Sequence, residues 1–190
     1  MLELRYQTPA SWTRTVLADF DHFLIDHAAA EKKASGMAVS MLSHYPDRPE
    51  LVKAMIDLSI EEMSHFRDVV KIMQTRGLQL GADEKDPYVN RLRQSMRRGS
   101  EVYLLDRLVI GGIIEARGCE RFGLIGAALE PGKLKSFYQT IASSESRHEA
   151  LFIDLAIHYF DRDTVYERLD QLLDIEAAIV KVLPHRARLH

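Results

Sequence analysis

Apolar residues recur at helical spacing through most of the chain, and the breaks between the periodic stretches fall at proline and glycine. The pattern predicts helices throughout. A short opening helix starts after Thr8-Pro9, with proline suited to the first turn. A long helix runs from about Asp19 to Ser43 and stops at Tyr45-Pro46. A second starts near Pro49 and reaches Arg76, with Gly77 as its C-terminal stop. Residues 78–87 read as a polar loop. A short basic helix, VNRLRQSMRR, follows and ends at Gly99. Ser100 is placed to cap a third long helix that runs to about Leu129, before Glu130-Pro131-Gly132. The fourth covers about 133–160. A fifth, about 164–182, is closed by Pro184 and followed by the basic tail HRARLH.

Helices of about 25 to 30 residues are roughly 37–45 Å long at 1.5 Å per residue. Four of that length predict an antiparallel bundle, and the long link between the second and third suits one crossover connection. No composition break or linker divides the 190 residues, so the expectation is one domain spanning 1–190.

Composition narrows the function. No apolar run reaches the roughly 18 residues of a membrane span, and the start MLELRYQTPASW lacks the layout of a secretory signal. Cytoplasm, with no membrane partner, is the default expectation. The single cysteine, Cys119, excludes an intramolecular disulfide and any Cys-based metal site.

Two Glu-x-x-His motifs stand out: Glu62-Met63-Ser64-His65 and Glu145-Ser146-Arg147-His148. A spacing of three puts carboxylate and imidazole on one helix face, so one helix can present both to the same metal. With 14 Glu and 8 His in 190 residues, chance supplies about 0.6 such motifs, so the pair alone is a modest signal. Context strengthens it. Glu31 precedes Glu62 by 31 residues, and Glu115 precedes Glu145 by 30, so the chain reads as a duplicated helix pair. The faces around all four glutamates are mainly apolar or small, with His27 and Glu149 as exceptions.

Buried carboxylates are costly without cations, and two divalent ions balance four of them. The oxygen-rich donor set with two imidazoles suits iron or manganese. The predicted metal ligands are therefore Glu31, Glu62, His65, Glu115, Glu145 and His148, with no catalytic residue expected beyond them. His27 reads as a core or supporting residue, and Cys119 as a small core residue. Gly111, Gly112 and Gly118 serve either close helix packing or a cavity. The formal charge is −3, but 28 acids less these four glutamates leave 24 against 25 Lys and Arg. A neutral remainder allows local basic patches to matter.

The arrangement Glu31, Glu62-x-x-His65, Glu115, Glu145-x-x-His148 resembles the ferritin-like di-iron carboxylate superfamily. The segments HAAAEKKASGMA, SIEEMSHFRDV, GGIIEARGCERF and SSESRHEALF are similar to the MiaE family of tRNA hydroxylases, through nearly the whole chain. The resemblance implies an all-α, ferritin-like four-helix bundle with additional short N-terminal and C-terminal helices. It also implies hydroxylation of the isopentenyl side chain of 2-methylthio-isopentenyladenosine beside the anticodon of tRNA. Two iron ions, dioxygen and an external electron donor, a reductase or ferredoxin, come with that activity. The oligomeric expectation is monomer or dimer. Other readings of the same ligand set are a quinone hydroxylase, an iron-oxidising or storage protein, and a dimanganese catalase. For a tRNA substrate, candidate phosphate contacts are Arg91, Arg93, Arg97 and Arg98, then Lys32 and Lys33, then Arg186 and Arg188.

Overall fold

A computed structural model describes residues 2–190. It contains seven helices and no strand among them: α1 (Ala10–Ala18), α2 (Phe20–His44), α3 (Pro49–Thr75), α4 (Pro87–Gln94), α5 (Ser100–Ala128), α6 (Lys133–Tyr159) and α7 (Arg162–Val182). The chain gathers into two compact units. One holds Arg14–Glu84 with His185–Leu189; the other holds the N-terminal residues up to Thr13, Lys85–Pro184 and His190.

In the first unit, α2 and α3 pack together as a hairpin. The short link at 45–48 forces them antiparallel. Their facing stripes include Phe23, Leu24, Ala28 and Met41 on α2 and Leu51, Met55, Leu58 and Val69 on α3, all buried. The α3 terminus is locked by glycine. Gly77 has φ 71°, its N–H donates to Gln74 O at 3.1 Å, and Leu78 N–H donates to Met73 O at 3.0 Å. This is the paired-bond helix stop that needs the left-handed conformation at its penultimate position. The following loop is tied to α2 by ion pairing of Lys32 with Asp83 at 2.8 Å. Lys33 Nζ also donates to Glu84 O at 2.6 Å, and Arg188 pairs with the Glu84 carboxylate.

In the second unit, α5 is the central helix and packs against α6, α7 and α4. Gly111 and Gly112 settle the packing question. A Cβ on Gly111 would lie 2.8 Å from the Phe152 ring, and one on Gly112 would lie 3.1 Å from Ile153 Cδ1. They let α6 approach closely. Gly118 differs, with Glu145 Oε2 3.7 Å from its would-be Cβ.

The short fourth helix begins at Pro87, earlier than the hydrophobic pattern suggests. Asp86 caps it, accepting from Tyr88 N–H at 2.8 Å and Val89 N–H at 3.2 Å. It also ends earlier, at Gln94, so Arg97 and Arg98 lie beyond it. Ser100 does not cap α5: the cap position is Gly99, at φ 116°, and no side chain caps the helix.

Two buried ion-pair clusters fix this unit, and neither is visible in the sequence pattern. Fully buried Arg117 donates to Glu176 through Nε at 2.8 Å and Nη2 at 3.0 Å, linking α5 to α7. Tyr88 of α4 donates its hydroxyl proton to the same carboxylate at 3.1 Å. Fully buried Asp106 accepts from Arg168 Nε at 2.8 Å and Arg97 Nη2 at 2.7 Å.

Candidate metal centre

Each unit carries half of the predicted ligand set. On the α2/α3 hairpin, Glu31 comes from one helix, and Glu62 and His65 from one face of the other. These three can present ligand atoms within 4.8 Å of one another. His65 Nδ1 lies 3.3 Å from Glu62 Oε2 and 3.7 Å from Glu31 Oε2. On the α5/α6 hairpin, Glu115 comes from the first helix, and Glu145 and His148 from the second. They too can present ligand atoms within 4.8 Å of one another. His148 Nδ1 lies 3.9 Å from Glu145 Oε2. The duplicated spacing in the sequence thus becomes two half-sites of the same composition.

All four glutamates are buried: Glu31 is 3% exposed, Glu62 1%, Glu115 6% and Glu145 4%. His148 is 3% exposed, and the His65 side chain 12%. A solvated carboxylate on a helix surface would not reach these values.

Electrostatics respond as expected of a carboxylate-rich pocket. Burial resists charging of His65, but hydrogen bonds and charge from Glu31 and Glu62 outweigh it and lift the pKa to about 10. The protein without metal therefore places a proton where a cation belongs. His27 moves the other way: complete burial, with the nearby His65 charge, lowers its pKa to about 3. Its Nε2 sits 2.6 Å from Glu31 Oε1. A neutral imidazole with its proton on Nε2 donates there and fixes the Glu31 carboxylate, which is how supporting residues orient metal ligands. Cys119 has its pKa raised to about 11 by burial and by Glu149 and Glu145. It stays a thiol and offers no thiolate to a metal.

The residues fit a pair of divalent ions. Each half-site offers two carboxylates and one imidazole, a charge of −2 that one divalent cation neutralises. Hard oxygen donors with a single imidazole, and no thiolate, match iron or manganese rather than copper(I) or a structural zinc site.

Sequence spacing alone gives Glu149 no functional role. It is buried, 3% exposed, and accepts from the backbone N–H of Leu2. In the sequence it stands out as a charged exception on the apolar face around Glu145, next to His148. Of the candidate RNA contacts, the structure commits Arg97 to Asp106, Lys32 to Asp83, Lys33 to the Glu84 carbonyl and Arg188 to the Glu84 carboxylate. Arg91, Arg93, Arg98 and Arg186 are exposed.

Known proteins resemble this chain over most of its length. The chain is 33% identical over 183 residues to the tRNA 2-(methylsulfanyl)-N(6)-isopentenyladenosine(37) hydroxylase of Pseudomonas putida, covering 96% of this chain and 89% of that one. It is 28% identical over 165 residues to the protein of the same name from Salmonella typhimurium, covering 87% of this chain and 60% of that one. Among solved structures, a Synechococcus protein with aldehyde deformylating oxygenase activity superposes with a TM-score of 0.94 at 32% identity. That match covers 100% of this chain and 96% of the other. The fold is therefore the ferritin-like helical bundle, with α1 and α7 preceding and following the four long helices in the chain. The family model described as tRNA-(MS[2]IO[6]A)-hydroxylase (MiaE) matches residues 2–190, and the chain belongs to that family.

Proposed function

We propose that this protein is a di-iron tRNA hydroxylase that adds one oxygen atom to the isopentenyl side chain of 2-methylthio-isopentenyladenosine beside the anticodon. The observation that carries the reading is the pair of buried half-sites, Glu31/Glu62/His65 and Glu115/Glu145/His148, in a chain of the MiaE family. Each half-site would hold one iron ion.

When bound, two ferrous ions supply the redox chemistry by which dioxygen and two electrons from a reductase or ferredoxin, with two protons, convert a C–H bond to C–OH and release water. The remaining work belongs to the chain. The four glutamates neutralise the positive charge and keep it in a dry site. His65 and His148 would give neutral nitrogen donors. His27 holds the orientation of Glu31 through the 2.6 Å hydrogen bond. Leu58 on α3 and Phe122 on α5, each buried about one or two turns from a ligand, help exclude water. Exposed Arg91, Arg93 and Arg98 supply positive charge for phosphates. Among the described residues no helix is long and apolar enough to cross a membrane, and tRNA as substrate puts the reaction in the cytoplasm.

The test is direct. Iron-loaded protein is mixed with a reductant, dioxygen and tRNA that carries the unhydroxylated nucleoside. The tRNA is then digested and its nucleosides weighed. A gain of one oxygen on the isopentenylated adenosine, lost in Glu115→Ala, supports the reading. An unchanged nucleoside from a protein that holds its iron overturns it. An aldehyde offered in place of tRNA checks the chemistry named for the Synechococcus relative; turnover of the aldehyde alone would also overturn it.

A further inference from the structure

The second unit carries a surface groove of about 490 Å³ lined by Lys85, Asn90, Arg93, Gln94, Met96 and Tyr103. Its chemistry is selective. Two cations, two side-chain amides, one thioether and one aromatic ring face it, and no carboxylate does. Lys85 and Arg93 are exposed. Neither side chain makes an ion pair or hydrogen bond among the described residues, unlike Lys32, Lys33, Arg97 and Arg188.

The groove is also preformed. Its walls are α4 and the first turn of α5, and the turn between them is clamped from below by Asp106. That carboxylate accepts from the Arg97 backbone N–H at 2.7 Å and from the guanidinium groups of Arg97 and Arg168. Arg168 Nη2 also donates to Ser95 O at 2.8 Å. The Tyr103 ring is steadied by the Arg107 guanidinium, 6.0 Å from its centroid.

An aromatic platform flanked by amides and unpaired cations is the equipment for one unstacked nucleotide. The ring stacks on the base, the amides meet its polar edge, and the cations meet its phosphates. An acidic peptide would use the cations and leave the aromatic and amides idle. We propose that this groove seats an unstacked nucleotide of the RNA substrate, with Tyr103 as stacking platform, Asn90 and Gln94 reading the base edge and Lys85 and Arg93 binding the flanking phosphates. The proposal rests on the tRNA reading above and adds the surface that holds the RNA. Tyr103 precedes Glu115 by 12 residues of α5, about 18 Å along the helix. That is the rise of on the order of five stacked nucleotides, so a nucleotide here and one at the metal centre belong to the same loop of RNA.

The experiment measures binding of a labelled anticodon stem–loop RNA, and of the same strand annealed to its complement, by fluorescence anisotropy across a salt series. Tyr103→Leu should weaken stem–loop binding by about tenfold or more, with the salt slope little changed, while Tyr103→Phe stays near wild type. Lys85→Ala with Arg93→Ala should lower the salt slope by about two. The fully paired strand should be insensitive to Tyr103→Leu. Should Tyr103→Leu lose helicity, Asn90→Ala with Gln94→Ala tests the same groove from its outer wall and should weaken the stem–loop alone. Unchanged stem–loop affinity in both variants, with a wild type that binds and hydroxylates tRNA, overturns the groove and leaves the activity standing. Lost affinity in the variants, with a wild type that adds no oxygen, upholds the groove and removes the hydroxylase reading. A wild type that binds no RNA removes both.

Discussion

Replacing Glu176 with alanine tests the buried framework of the second unit. The residue lies on α7, well away from the metal ligands in sequence, and both it and Arg117 are fully buried. The change removes the acceptor for two guanidinium N–H groups at 2.8 and 3.0 Å and for the Tyr88 hydroxyl at 3.1 Å. Arg117 cannot shed its proton. Burial disfavours its charge, but Glu176 holds its pKa above the ordinary arginine value. Thr8 Oγ1, 3.1 Å from Nη1, and Glu120 remain on the far side of the guanidinium and soften the loss. Stranding one partner of a buried ion pair costs about 3–5 kcal/mol. For a chain of this size, about 2–4 °C of melting temperature accompanies each kcal/mol, so Glu176→Ala should melt roughly 6–20 °C below wild type. The double change Arg117→Met with Glu176→Leu removes both charges and should recover most of that loss. Calorimetry on the three variants decides. A Glu176→Ala protein within about 1 kcal/mol of wild type, or a double variant no better than the single, would refute the assignment of this pair as a buried, mutually dependent unit.

Three further outcomes follow from other sites. Gly111→Ala should destabilise by about 1–3 kcal/mol through the clash with Phe152, whereas Gly36→Ala, whose Cβ meets nothing within 4 Å, should stabilise by up to about 1 kcal/mol; urea midpoints of the two compare them. Asp86 is desolvated, yet His190 and the Val89 and Tyr88 N–H groups hold its pKa at about 2, below the ordinary carboxylate value. Its contribution is therefore complete above about pH 4 and lost as pH falls toward 2. The stability gap between wild type and Asp86→Ala should then close as pH falls from about 4 toward 2; a gap that widened in acid would contradict this. Ferrous ion should raise the melting temperature of the metal-free protein by binding the folded state alone, and Glu62→Ala should reduce that rise. Scanning calorimetry with and without iron reads it.

Most of the fold is legible because its punctuation is strong. Pro46, Pro49, Gly77 and Pro131-Gly132 stop or start long helices where steric rules require it. The half-sites are legible because Glu-x-x-His is a local motif and the chain repeats it. Pairs distant in sequence are not. Arg117–Glu176 and Asp106–Arg168 are separated by 59 and 62 residues, and each member alone looks like an ordinary helix charge. For the same reason Arg97 reads as a surface cation, although a buried aspartate nine residues on holds it. The α4 start is an aspartate cap followed by proline, Asp86-Pro87, a signal that the polar stretch before it masks.

The proposed half-sites Glu31/Glu62/His65 and Glu115/Glu145/His148 would each bind one iron. Anaerobic titration of the metal-free protein with ferrous ion, followed by oxidation and Mössbauer spectroscopy, tests it most directly. Two irons should bind per chain, with incomplete loading in Glu62→Ala or Glu145→Ala. A single iron per wild-type chain, or full loading in both variants, would contradict this.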